Sequence, residues 1–265
     1  MTETAEARDP IVELRSVRRA FGATLAVRDV DLSVGPREFL VILGESGSGK
    51  TTLLKMINRL QPQDSGDVLI EGRSTSAVVE HELRRRIGYV FQRVGLFPHL
   101  TVAENIAVTP RLLGWSEEHV RARVDELLAL VNLPAEMAPR LPAALSGGQR
   151  QRVGAARALA ARPKIMLMDE PFAALDPVTR DSLGGEYRLL HERMSLVTVM
   201  VTHDVLEALL LADRIVVMRE GAIVASGTPH EMMNDHSDAE VRKLMDMPRR
   251  QLTRVAAMLD GARRP

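Results

Sequence analysis

The sequence predicts an α/β fold: a mostly parallel sheet, covered on both faces, with a helical subdomain inserted part-way along the chain. Three observations predict it. Short apolar runs at FLVILG (39–44), KIMLMDE (164–170), LVTVMVTH (196–203) and RIVVMREG (214–221) have the pattern of strands buried in a covered sheet. Helical patterns alternate with these strands at both ends of the chain. From about 98 to 162 the texture is helical alone, after which the alternation returns.

The elements follow in order. IVELRSV (11–17) and LAVRDVDLS (25–33) alternate apolar and polar residues between turns, and read as half-buried strands. FLVILG ends in glycine and runs directly into GESGSGKT (44–51). A helix then carries apolar residues at Leu53, Leu54, Met56, Ile57 and Leu60. DVLIEG (67–72) and IGYVFQ (87–92) are further strands. Within the helical block, TVAEN (Thr101, Glu104) and LSGGQ (Ser146, Gln149) both have capping-box spacing. Later helices begin near Pro177, near Asp204, and at TPHEMM with Pro229 in the first helical position. Residues 246–265 form an arginine-rich tail. Gly184 and Gly185 fall inside the helix after Pro177, where each costs about 1 kcal/mol relative to alanine. The pattern offers no reason for them beyond close packing.

Composition narrows the chemistry. Formal net charge is zero, against the basic excess of most nucleic-acid binders, so no nucleic acid is expected as partner. There is no cysteine, which removes disulfides, thiolate metal sites and cysteine nucleophiles and fits a reducing cytosol. MTETAEARDP lacks the apolar core of a signal peptide, and no apolar run approaches a membrane span. Only Lys50, Lys55, Lys164 and Lys243 are lysines, so a lysine at position 50 is not compositional habit.

Gly44-Glu45-Ser46-Gly47-Ser48-Gly49-Lys50-Thr51 matches G-x-x-x-x-G-K-[ST] between a predicted strand and a predicted helix. Its glycines let backbone N–H groups wrap phosphates, Lys50 can reach the β and γ phosphates, and the Thr51 hydroxyl can join a magnesium shell. This is a nucleoside triphosphate site. Asp169 and Glu170 lie at the C-terminal end of an apolar strand, the edge at which open α/β sheets bind ligands. Alone, such a pair is more often a strand end. Beside a phosphate loop, Asp169 is placed to hold magnesium and Glu170 to polarise an attacking water. His203 and Gln92 end two other predicted strands at the same edge, and neither would be singled out without the other motifs.

Together these residues resemble the ATP-binding subunits of ABC transporters over about residues 11–245. The phosphate loop at 44–51, Gln92, LSGGQ at 145–149, the carboxylates 169–170, Ala174-Leu175-Asp176 and His203 stand in that family's order. The resemblance implies a P-loop NTPase (RecA-like) core with an antiparallel β subdomain and an inserted α-helical subdomain. It implies ATP and Mg2+ as cofactors, with catalysis by Lys50, Gln92, Glu170 and His203. Magnesium falls to Thr51, Gln92 and Asp169, and nucleotide binding to Phe21, residues 44–51, Thr52 and Asp176. Phe21 would stack on adenine where the family more often has tyrosine. LSGGQ is then explained as part of a second copy's site. Two chains pair head to tail, and Ser146, Gly147, Gly148 and Gln149 of one contact the ATP held by the other. Such a joint would account for Gly147 and Gly148 in a first helical turn, where glycine is a poor helix former.

A lone domain with GLFPHLTVAENI after Gln92 looks like an importer subunit. IGYVFQRVGLFPHLTVAENIAVTPRLLGW and DEPFAALDPVTRDSL resemble importers of glycine betaine, choline, carnitine and related quaternary amines. Amino-acid and polyamine importers share much of this wording. The implied setting is peripheral, on the cytoplasmic face of the cell membrane, with permease subunits and, through them, a solute-binding protein. Many relatives continue into paired regulatory (CBS) domains, and the end at residue 265 leads to the expectation of none. Ala173 replaces the family's usual glycine, which should restrict the backbone there. Two readings from other classes are a soluble P-loop ATPase acting on nucleic acid or a protein complex, and a small-molecule kinase. Charge and the absence of long insertions count against the first; LSGGQ and His203 have no job in the second.

Overall fold

The computed structural model describes residues 9–234, 238–250 and 253. In chain order the strands are β1 (Val12–Phe21), β2 (Thr24–Val34), β3 (Phe39–Leu43), β4 (Ser65–Ile70), β5 (Arg73–Ser74), β6 (Ile87–Val90), β7 (Ile165–Asp169), β8 (Val197–Thr202), β9 (Arg214–Arg219) and β10 (Ala222–Gly227). The helices are α1 (Lys50–Ile57), α2 (Glu80–Arg85), α3 (Val102–Leu112), α4 (Glu117–Leu130), α5 (Gly147–Leu159), α6 (Pro177–Met194), α7 (Val205–Leu211), α8 (Pro229–Asn234) and α9 (Ala239–Met245).

The central sheet has the order β10-β9-β3-β8-β7-β6 and is parallel from β9 to β6, with β10 antiparallel at one edge. A second, antiparallel sheet has the order β2-β1-β4-β5. β3 shows why both faces must be covered. Leu40 and Ile42 point into one core with α1 and the antiparallel sheet, whereas Phe39, Val41 and Leu43 point into the other with the helices. Strand residues alternate between faces, so an all-apolar strand needs two cores.

The helical block holds α3, α4 and α5 in mutual contact. Both expected capping boxes form, Thr101 with Glu104 and Ser146 with Gln149. Asp176 and Asp204 cap α6 and α7, and Pro177 and Pro229 open their helices. Two of the boundaries that differ from the sequence reading bear on the site. β6 ends at Val90 and β8 at Thr202, so Gln92 and His203 lie in the loops beyond. β10, a stretch to which the sequence reading assigns no element, returns from β9 through Glu220 and Gly221, both at positive φ as a tight hairpin turn requires. Of the arginine-rich tail, 247–250 is helical; residues 251, 252 and 254–265 lie outside the described residues.

The two glycines of α6 have different surroundings. A Cβ on buried Gly184 would touch Leu211 of α7 at 3.6 Å, ordinary contact distance, while one on exposed Gly185 would meet nothing within 4 Å. Gly185→Ala therefore raises the unfolding free energy by about 0.5–1 kcal/mol, because it restricts the unfolded chain without a clash. Urea unfolding with an unchanged m-value checks it, and a lower midpoint contradicts it.

Candidate functional site

The phosphate loop is held from both sides. A Cβ on Gly44 would lie 2.3 Å from the Met218 carbonyl oxygen, and one on Gly49 only 2.1 Å from that of Ala26. Gly49 also has φ 99°, a left-handed conformation open to glycine, and its carbonyl accepts the first helical bond from Leu53 at 2.9 Å. The β9–β10 turn locks the loop further: Gly221 N–H donates to the Ser48 carbonyl at 3.0 Å. A loop so fixed can present its N–H groups to an anion at the start of α1.

Lys50 lies inside this loop. Its Nζ donates to the carbonyls of Gly44 and Glu45, both at 2.7 Å, and lies 3.5 Å from Ser48 Oγ. Burial pushes its pKa below the ordinary lysine value, against the opposing pull of Glu170, Asp169 and Glu45. The ammonium is thus parked on neutral carbonyls with three carboxylates near.

β7 and α1 bring Asp169 to Thr51, whose Oγ1 donates to Asp169 Oδ1 at 2.8 Å. The other oxygen accepts from the Tyr89 hydroxyl at 3.3 Å and faces Lys55 Nζ at 3.9 Å. Burial, with Asp169 adding to it, pushes the Tyr89 pKa up, which keeps that hydroxyl a donor. The hydroxyl and carboxylate pair suits magnesium, which takes one or two protein oxygens and completes its shell with water and phosphate. Among the described residues there is no cluster of three or more His, Cys, Asp or Glu side chains that could hold a metal ion.

Glu170 turns away from the strand at φ 44°, an uncommon region for a non-glycine residue, and its N–H donates to the Val201 carbonyl at 3.0 Å. The turn places its carboxylate where two loops meet. Gln92 Nε2 donates to Glu170 Oε2 at 3.0 Å, and His203 Nδ1 lies 3.3 Å from the same oxygen. Two side chains from separate loops thus converge on one oxygen of Glu170. They line a cavity of about 550 Å³ with Gly44, Glu45, Ser46, Thr51 and Leu244.

The remaining expected residues lie elsewhere. LSGGQ lines neither this cavity nor the adjoining one of about 670 Å³ between the phosphate loop and α9. Ser146 and Gln149 are joined in their capping box, with Gln149 Oε1 accepting the Ser146 N–H at 2.9 Å. The two glycines separate. A Cβ on Gly148 would approach the Thr179 methyl at 2.9 Å, so packing against α6 accounts for this glycine without a ligand. Gly147 would meet only Leu175 at 3.7 Å. Asp176 caps α6 by accepting the Thr179 N–H at 3.0 Å; hydrogen bonding from the Thr179 side chain, and then from its N–H, lowers the Asp176 pKa, and Asp176 too lines neither cavity. Phe21 ends β1, half exposed, with the Arg19 guanidinium 4.9 Å above its ring. Thr52 follows in α1, half-buried. Ala173 is not among the residues with positive φ, so its Cβ restricts nothing the turn needs.

Sequence reading missed the residues that hold the loop after Gln92. Arg157 of α5 donates to the carbonyls of Val94 at 2.7 Å and Gly95 at 2.8 Å. Asn105 of α3 accepts the Phe97 N–H at 2.8 Å and donates to the Phe97, Leu100 and Thr101 carbonyls. Between these clamps the Phe97 ring stays 42% exposed.

Comparison with known proteins identifies relatives of the whole chain. A family model described as ABC transporter matches residues 27–173. The glycine betaine/carnitine/choline transport ATP-binding protein OpuCA of Bacillus subtilis is 46% identical over 240 residues, 90% of this chain and 63% of the relative. This chain therefore spans less than two thirds of that relative's length. The glycine betaine uptake system ATP-binding protein YehX of Escherichia coli is 48% identical over 233 residues, 88% of this chain and 76% of the relative. Among solved structures, a dimeric post-hydrolysis ATP-binding cassette bound to ADP and Pi superposes with a TM-score of 0.74 at 34% identity, covering 82% of this chain and 98% of the other.

Proposed function

This chain belongs to the ABC transporter family, and from that premise we propose that it is the ATP-hydrolysing, energy-coupling subunit of an importer for glycine betaine, choline and related quaternary amines. The observation that carries the catalytic part is the convergence of Gln92 and His203 on Glu170 Oε2, beside the Thr51–Asp169 pair. The solute class follows the names of OpuCA and YehX and the lengths over which they match.

ATP is the substrate. Lys50 leaves the Gly44 and Glu45 carbonyls for the β and γ phosphates, exchanging neutral acceptors for charged ones. The N–H groups of residues 46–51 wrap the same oxygens, and the Phe21 ring supplies a face for adenine, which then competes with or sandwiches Arg19. Mg2+, when bound to Thr51 and Asp169 with Gln92 near, supplies charge neutralisation at the phosphates. Glu170 accepts the proton of the attacking water, and Gln92 and His203 fix its carboxylate. His203, exposed at the cavity mouth, also donates to the γ-phosphate.

LSGGQ lines neither cavity, and in this reading it serves another copy of the chain. Ser146, Gly147, Gly148 and Gln149 of that copy close over the nucleotide, head to tail. The capping box leaves the α5 N-terminus with unpaired N–H groups for phosphate, and open space at Gly147 permits close approach. α5 then runs from this contact to Arg157, which grips residues 94–95. A movement at the nucleotide reaches Phe97 through that rigid helix, and Phe97 meets the permease. No helix among the described residues is long and apolar enough to cross a membrane, which fits a peripheral place on the cytoplasmic face beside separate permease subunits and a solute-binding protein.

The test is uptake of labelled glycine betaine by cells holding the native permease and either the parental chain or Glu170→Gln. Uptake present with the first and lost with the second supports importer and solute class together. Uptake equal in both removes the betaine assignment.

A further inference from the structure

Arg180, in the first turn of α6, faces two loops at once. Its Nη2 donates to the Leu175 carbonyl at 3.0 Å, and its Nη1 to Asp204 Oδ2 at 3.2 Å. Nε, buried, faces Glu207 Oε1 at 3.8 Å. Both loops belong to the reaction site. Leu175 closes the turn that leaves Glu170: Ala173 N–H donates to the Glu170 carbonyl at 3.3 Å, and Leu175 N–H to that of Phe172 at 3.1 Å. Asp204 directly follows His203 and is itself fixed. Its Oδ1 accepts the Leu206 N–H at 2.8 Å and the Glu207 N–H at 3.3 Å, and its own N–H donates to Thr202 Oγ1 at 3.0 Å. Thr202 Oγ1 in turn donates to Glu207 Oε2 at 2.6 Å. His203 is thus framed by two residues, Thr202 and Asp204, within one hydrogen-bonded network.

We propose that Arg180 is a positioning residue that sets the spacing of Glu170 and His203, by pinning the 173–176 turn to Asp204. The planar guanidinium is the group that can do this, since it donates along two fixed directions to two acceptors on different elements. Lysine offers a point charge that can satisfy one acceptor well. The 3.3 Å contact between His203 and Glu170 joins the ends of two loops that Arg180 ties together further along. Releasing the pin lets both loops relax apart while the nucleotide-holding loop, on β3 and α1, is untouched.

The inference rests on the ATPase reading above and is tested so that the two fail differently. ATPase rates of the purified parental chain, Arg180→Lys, Arg180→Gln and Asp204→Asn are measured across ATP concentration, with thermal unfolding of each. Asn keeps the helix cap of Asp204 and removes its charge. In Arg180→Gln, kcat falls about tenfold or more with KM within about twofold, the signature of a displaced reacting group rather than lost binding. Arg180→Lys recovers part of kcat. Adding Asp204→Asn to Arg180→Gln lowers kcat no further, because the pair acts as a unit. Parental kcat in a folded Arg180→Gln overturns the inference, as do additive effects of the two substitutions. Should Arg180→Gln not fold, Arg180→Lys with Asp204→Asn carries the same cycle. A parental chain without ATPase activity removes the proposed function, and this inference with it.

Discussion

Glu170→Gln lowers the rate of ATP hydrolysis by about 10²–10⁴-fold, the range expected when a positioned general base is removed, while ATP still binds. The substitution is nearly isosteric and keeps the backbone at its φ of 44°, so the turn after β7 is preserved. Gln92 Nε2 retains an amide oxygen to donate to, in place of the carboxylate now 3.0 Å away. What disappears is the capacity to accept a proton from water. Asp169 does not replace it, because its oxygens are occupied by Thr51 at 2.8 Å and Tyr89 at 3.3 Å. Single-turnover phosphate release checks this directly. A parental rate would remove Glu170 from the role of base.

Lys50→Ala weakens ATP binding by about a hundredfold, as expected for losing charge-assisted hydrogen bonds worth roughly 1.5–3 kcal/mol each, and takes hydrolysis below detection. The variant loses its phosphate contact, and the resting loop loses the ammonium that holds the Gly44 and Glu45 carbonyls together. Both changes act on binding, which distinguishes this variant from Glu170→Gln. Lys50→Arg does not rescue it, because a planar fork does not fit where a point donor serves two carbonyls and lies close to Ser48 Oγ. Calorimetric titration with ATP checks both variants. Affinity within about threefold of the parental chain, under half the binding energy of one such bond, contradicts the placement of Lys50 at the phosphates.

Buried strands, capping residues and the phosphate loop are legible in the sequence because each is set by local chemistry. An all-apolar run such as residues 39–43 needs two cores wherever it lies, and Ser146 caps α5 through a residue three positions on. The departures arise where distant segments decide. Gln92 and His203 are expected at strand ends, and they lie beyond those ends because their loops bend toward Glu170. The positive φ of Glu170 is set by its tertiary setting, including the bond to Val201 from a neighbouring strand, and local propensity carries no sign of it. Gly148 has a packing reason that the sequence does not show, since a Cβ there would approach the methyl of Thr179, 31 positions later, at 2.9 Å. β10 is missed because Glu220-Gly221 is not one of the dipeptides that mark a tight hairpin in sequence, and the positive φ of Glu220 is visible only in the fold. Arg180 and Arg157 are invisible in sequence because each is one arginine on a helix, and only the fold shows which carbonyls it reaches.

The central claim is that ATP is enclosed between two copies of this chain, each contributing LSGGQ to the other's phosphate loop. The most direct test is the solution mass of Glu170→Gln by light scattering, without nucleotide, with ATP and Mg2+, and with ADP. The account predicts a mass that doubles with ATP alone, and that stays at one copy when Ser146→Arg is added. A mass that remains at one copy while ATP is demonstrably bound contradicts it, and would leave LSGGQ as no more than the cap of α5.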